Sequence, residues 1–147
     1  GFSMGGYGAV HLGFKYPDVF GVISNLAGAV IDVEFFATYQ NGKILNHVFN
    51  GDREAFDRNH TIHLAAEHAD QIRDRTMIRI IVGDKDIGRG TLKANQKLHA
   101  HLQELGIEHT FHVVPGVSHN YRALYNNMST DQAFEYFADA FRRATPE

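Results

Sequence analysis

Apolar positions recur along this chain in two periods, and the period switches several times. Residues 4–15 carry Val10, Leu12 and Phe14 behind a run of small residues, and Tyr16-Pro17-Asp18 stops the pattern. That stretch predicts a helix of about three turns. Residues 20–26 (FGVISNL) form a short apolar run ending at Ala27-Gly28, which reads as a strand. Residues 31–50 are mixed, rich in Phe and Tyr, and predict helical turns. Gly51-Asp52 reads as a break with a helix cap, residues 53–59 as a short helix, and residues 61–73 as another with Ile62, Ala65, Ala66 and Ala69 on one side. Residues 77–82 (MIRIIV) give the strongest strand signal, closed by the turn Gly83-Asp84-Lys85-Asp86. Residues 91–105 predict an amphipathic helix with a Leu98, Leu102, Leu105 stripe and Gly106 at its left-handed C-terminal cap. Residues 110–114 (TFHVV) read as a strand stopped by Pro115-Gly116. Ser129 or Thr130 is expected to cap a last helix, in which Phe134, Phe137, Ala138 and Phe141 recur at helical spacing.

Strands separated by helices pair in parallel through right-handed crossovers, so the order predicts an α/β layered architecture. In such sheets the site lies at the carboxyl ends of the strands. The residues just after each strand are therefore the ones whose chemistry matters.

Composition narrows the function classes. At 147 residues there is room for one domain and one core. The net charge of −3 offers no basic field for a phosphate backbone, which disfavours nucleic acid as a partner. There is no Cys, which excludes disulfides, thiolate zinc sites and Cys nucleophiles. No apolar run approaches the ~20 residues of a membrane span. The first residue is Gly1 and the chain opens inside a motif, so it is read as the C-terminal part of one longer domain, residues 1–147, with its N-terminal strands absent. Compartment and oligomeric state are not legible.

The opening Gly1-Phe2-Ser3-Met4-Gly5 matches G-x-S-x-G. A nucleophilic Ser needs a very tight strand-to-helix turn, which brings the residues two before and two after it into near contact. Gly1 and Gly5 answer that need, and Gly6 and Gly8 are expected to let the following helix pack closely. The helix N-terminus would then face the Ser, with the Met4 backbone N–H placed as an oxyanion donor.

A Ser hydroxyl needs a base, and the base an orienting acid. Each remaining strong strand ends in a candidate. After MIRIIV either Asp84 or Asp86 can be the acid. Asp84 follows Gly83 directly and could simply cap the turn, whereas Asp86, further into the loop, is favoured. After TFHVV the loop Pro115-Gly116-Val117-Ser118-His119-Asn120-Tyr121 presents His119 as the base.

GFSMGGYGAVHLGFKYPDVFGVISNLAG, IIVGDKD and HVVPGVSHNY together resemble the putative esterase family of the α/β-hydrolases, in three blocks spanning most of the chain. That family includes esterase D (S-formylglutathione hydrolase), feruloyl and acetyl xylan esterases, enterochelin esterases and mycolyltransferases. The resemblance implies a partial α/β-hydrolase fold, a parallel sheet with helices on both faces that begins at the nucleophile elbow. It places the family's Ser on Ser3, its acid on Asp86 and its His on His119. Members often carry an aromatic residue, commonly Trp, soon after the His, and Tyr121 can fill that place. The family's second oxyanion donor comes from an early loop absent here, so these 147 residues alone are expected to fold poorly and to be nearly inactive.

The implied activity is a serine esterase acting through an acyl-enzyme on a small-molecule or carbohydrate-linked ester, with no metal and no organic cofactor. An acyltransferase using the same residues and a non-catalytic binding domain are the alternatives. Tyr121 and Tyr125 are candidate substrate contacts. Phe35, Phe36, Tyr39, Phe49 and Phe56 are expected mainly in the core, with an acyl pocket as the other reading. His60, His63 and His68 lack clean ligand spacing and are expected to point outward. His99, His101, His109 and His112 read as surface residues, and Arg142 and Arg143 as charges at a helix C-terminus.

Overall fold

A computed structural model describes residues 1–30, 33–88, 90–128 and 134–144. The first helix, α1 (Met4–Lys15), ends where Pro17 cannot continue it, and its last turn closes with Tyr16 N–H donating to Leu12 O. It leads to β1 (Val22–Leu26). Short helical pieces follow: α2 (Val33–Thr38), a 3₁₀ turn (Tyr39–Gly42), α3 (Lys43–Phe49) and α4 (Arg53–Arg58), the last capped by the Asp52 carboxylate on Ala55 N–H. The helix expected over 61–73 is two, α5 (Thr61–Glu67) and α6 (Ala69–Arg75), divided at His68. Both bury their apolar side in one core, Leu64 and Ala65 from the first and Ile72 from the second. Then come β2 (Met77–Gly83), α7 (Thr91–Glu104) and β3 (Thr110–Val114). Gly106 has the left-handed conformation (φ 65°) expected beyond the end of α7.

The three strands form one parallel sheet in the order β1-β2-β3, with Val22 opposite Met77 and Gly83 opposite Val114 at its two ends. Residues alternate between its faces. One face, with Ile23, Ile78 and Ile80, packs on Val10 and Phe14 of α1, Leu64 and Ile72, and Leu98 and Leu102 of α7. The other, with Leu26, Ile81 and Val114, packs on Val117 and Leu124. Helices therefore cover both faces of an α/β sheet.

Two elements near the C-terminus differ from the sequence reading. A short helix, α8 (Tyr121–Asn126), follows directly on His119, capped by the Asn120 side chain accepting from Ala123 N–H. The last helix, α9 (Tyr136–Ala144), turns to the sheet a side that its phenylalanines predict only in part. Phe134 and Phe141 are exposed, while Ala140 is buried and the Tyr136 hydroxyl donates to Ile23 O at 2.8 Å. The sheet there carries Ser24 and Arg79, with the Arg79 guanidinium 4.4 Å from the Tyr136 ring centroid. The Phe137 ring lies over the same guanidinium at 5.0 Å, so Tyr136 and Phe137 together meet this polar face while Phe134 and Phe141 stay exposed. The expected caps Ser129 and Thr130 lie outside the described residues.

Candidate functional site

Ser3 stands at a sharp turn with φ 55° and ψ −118°, a conformation that L-residues rarely adopt. Backbone bonds impose it. Leu26 N–H donates to Gly1 O at 2.9 Å, and Ser3 N–H donates to Leu26 O at 3.0 Å, so the residues before Ser3 run beside the end of β1. Ser3 O accepts from Tyr7 N–H within α1 and from Ala29 N–H beyond β1. A Cβ at Gly1 would lie 2.2 Å from Gly5 O, and one at Gly6 would lie 2.7 Å from both Asn25 Oδ1 and Gly28 Cα. Any side chain at either position would force the turn apart. The expectation for Gly5 and Gly8 does not hold, because a Cβ at either meets open space. The crowding at the turn is one-sided, with the Gly1 side pressed against the Gly5 backbone.

The acid and base loops are stitched together. Asp84 N–H donates to Val114 O at 3.0 Å and Lys85 N–H to Val117 O at 2.9 Å. A Cβ on Gly83 would sit 2.0 Å from Val117 O, so the loop carrying His119 lies directly on the end of β2. The two candidate acids separate by geometry. Asp84 Oδ1 accepts from Gly116 N–H at 2.7 Å and so ties the turn. Asp86 is buried, 3% exposed, and its Oδ2 lies 2.7 Å from His119 Nδ1. His119 Nε2 lies 2.9 Å from Ser3 Oγ. Three loop tips at the carboxyl rim of the sheet thus bring a carboxylate, an imidazole and a hydroxyl into one hydrogen-bonded line. Met4 opens α1, where a backbone N–H has no partner within the helix and faces outward from its N-terminus.

Aromatic rings border this line. The Phe2 ring lies 4.7 Å from that of His119, Tyr121 lies 5.8 Å from Phe2, Tyr125 lies 5.5 Å from Tyr121, and Phe134 lies 6.1 Å from Tyr125. Tyr121 is exposed at the start of α8 and Tyr125 is half-buried one turn on.

Behind the rim sits a buried amide network that the sequence reading missed. Asn25 Nδ2 donates to Asn95 Oδ1 at 2.9 Å, and Gly28 N–H donates to Asn25 Oδ1 at 2.7 Å. Asn95 Nδ2 donates to Gly28 O and Thr91 O. This pair fixes the loop after β1, which holds Ser3 O, to the start of α7. The signal was present as an Asn inside the apolar strand VISNL and another on the buried side of an amphipathic helix.

The remaining candidates lie apart from Ser3. Phe56 is buried against Phe49 at 5.1 Å, in a small core with Leu45. Phe35 lines a cavity of about 680 Å³ between α5 and α7, bordered also by Val30, Ile62, Lys93 and Lys97 but by none of Ser3, Asp86 and His119. The Phe36 and Tyr39 side chains lie outside the described part. His60 does not point outward as expected. It is buried, lies tilted against the Phe56 ring at 5.6 Å and accepts from Ile62 N–H at the start of α5. His99 and His109, half-buried, meet at 2.6 Å. Among the described residues no group of three His, Asp or Glu side chains is arranged to hold a metal, and no helix is long and apolar enough to cross a membrane.

The family described as Putative esterase matches residues 1–146. None of the curated proteins compared with the chain matches it. Among solved structures, a ferulic acid esterase matches with TM-score 0.61 and 20% identity. FphF, a fluorophosphonate-binding serine hydrolase of Staphylococcus aureus solved with substrate bound, matches with TM-score 0.60 and 18% identity. Each match covers 98% of this chain but only 46% and 50% of the other, so the chain spans about half the length of these structures, and at such identities the likeness is one of fold.

Proposed function

The chain belongs to the putative esterase family, and from that premise we propose that the whole protein is a serine carboxylic-ester hydrolase working through Ser3, His119 and Asp86. The observation that supports this reading most is the unbroken line from Asp86 Oδ2 through both imidazole nitrogens to Ser3 Oγ, in steps of 2.7 and 2.9 Å. His119 Nε2 takes the hydroxyl proton as Ser3 Oγ attacks the ester carbonyl. Asp86 accepts from Nδ1–H, keeps the tautomer that leaves Nε2 basic, and offsets the imidazolium charge. The oxyanion forms at the N-terminus of α1, where the Met4 N–H and the helix dipole favour it. His119 then protonates the departing alcohol and an acyl-Ser3 ester remains. Water repeats the cycle on that ester, releasing the acid and returning the proton to Ser3. The balance closes with ester and water alone.

The substrate is a small-molecule or carbohydrate-linked ester, whose group beside the reacting carbonyl lies against the rings of Tyr121 and Tyr125. Stopped-flow hydrolysis of p-nitrophenyl acetate by the full-length protein tests the acyl-enzyme. A burst of p-nitrophenol stoichiometric with enzyme is expected. In Ser3→Ala the burst disappears and turnover falls by on the order of 10³-fold or more. Undiminished turnover in Ser3→Ala overturns the reading.

A further inference from the structure

Phe2 separates Gly1 from Ser3, and the hydrolytic scheme gives its side chain no task. Its ring lies 4.7 Å from the His119 ring with the planes 33° apart, within the range of favourable offset pairs. It also meets Tyr121 edge-on, at 5.8 Å and 61°. The Phe2 backbone is fixed by its bridge to Leu26 and by Gly5 N–H donating to Phe2 O at 2.8 Å. One turn therefore carries both this ring and the Ser3 hydroxyl. His119 is held less firmly. It sits in a loop, its side chain is 34% exposed, and among the described residues its ring nitrogens bond to the side chains of Asp86 and Ser3. Two hydrogen bonds in the plane of an imidazole leave one soft motion, a tilt about the line joining them. A ring against the imidazole face removes that motion. The same π-face also favours the imidazolium that forms during proton transfer.

We propose that Phe2 is a positioning residue, whose ring, anchored by the turn that presents Ser3, stacks on His119 and keeps Nε2 in line with Ser3 Oγ; this rests on the esterase reading above. The test is steady-state hydrolysis of p-nitrophenyl acetate by the full-length protein. Phe2→Leu is expected to lower kcat about three- to tenfold while KM changes less than about twofold, the range an aromatic pair carries. Phe2→Tyr, which restores a ring, is expected to return kcat to within about twofold of the parent. A folded Phe2→Leu with parental kcat overturns the proposal, as does Phe2→Tyr as slow as Phe2→Leu. Should Phe2→Leu not fold, the parent protein decides by NMR with ¹³C-labelled histidine. The His119 ring protons, identified by their absence in His119→Gln, are expected upfield through the Phe2 ring current, and an unshifted position overturns the proposal. Ser3→Ala keeps the two readings apart. If it retains parental turnover the esterase reading falls; if it is inactive while Phe2→Leu is unimpaired, only the role of Phe2 falls.

Discussion

Ser3 occupies φ 55° and ψ −118°, and a non-glycine residue held there costs about 1–3 kcal/mol. The turn tolerates that cost because backbone bonds on both sides determine it. Replacing Ser3 by Gly is therefore expected to stabilise the full-length protein by about 1 kcal/mol while removing activity, and Ser3→Ala to remove activity without the gain. Urea midpoints of the two variants check this. The two acids are told apart in the same way. Asp86→Asn reverses the polarity of the bond to His119 Nδ1 and is expected to lower kcat by on the order of 10³–10⁴, whereas Asp84→Asn keeps an oxygen for Gly116 N–H and most of the activity. Equal losses in both would contradict the assignment. The motif and its two partners were legible as residue types after strands. The place of Asp86 further into the loop already favours it in the sequence; the loop register adds the geometry, with Asp86 Oδ2 beside His119 Nδ1 and Asp84 Oδ1 on Gly116 N–H, and no local pattern carries that register. Gly5 was misread because sequence symmetry about Ser3 does not imply steric symmetry.

The elements from Met4–Lys15 to Thr110–Val114 follow the hydrophobic periodicity closely, because tertiary packing and local pattern agree there. Three departures have distinct causes. The division at His68 carries no Gly or Pro to announce it. The helix Tyr121–Asn126 rests on a single Asn cap and one fully buried residue, Leu124, too little periodicity to read. In Tyr136–Ala144 the helix was legible and its facing side only in part: Phe137 meets Arg79 as its spacing suggests, but the receiving face is polar and takes the Tyr136 hydroxyl while Phe134 and Phe141 stay exposed. The Asn25–Asn95 pair belongs to this scale because it joins β1 to α7 behind the site. Asn95→Ala leaves Asn25 Nδ2 and Gly28 O without their partner and is expected to cost about 1–3 kcal/mol, measurable as a lower urea midpoint. An unchanged midpoint would show that the network is not holding the loop.

Across the whole molecule, the parallel sheet places its three informative loops on one rim because every strand points the same way. Its stability has an acid-sensitive component. Burial pushes the His11 imidazole below its ordinary value, with Lys15 adding to it, and does the same to His99, with His109 adding. The folded chain then binds fewer protons than the unfolded one between those lowered values and about 6.5. Stability is therefore retained above about pH 6.5 and falls as pH drops through that window. Urea midpoints at about pH 7.5 and 5.5 test this: a His11→Gln, His99→Gln double variant is expected to lose less on acidification than the parent. An equal loss would contradict it. The central claim, that Ser3 is an activated nucleophile, is tested most directly by treating the full-length protein with a fluorophosphonate and locating the adduct by peptide mass spectrometry. The adduct is expected on Ser3 and absent from Ser3→Ala; a folded protein that takes up no label, or takes it elsewhere, would contradict the account.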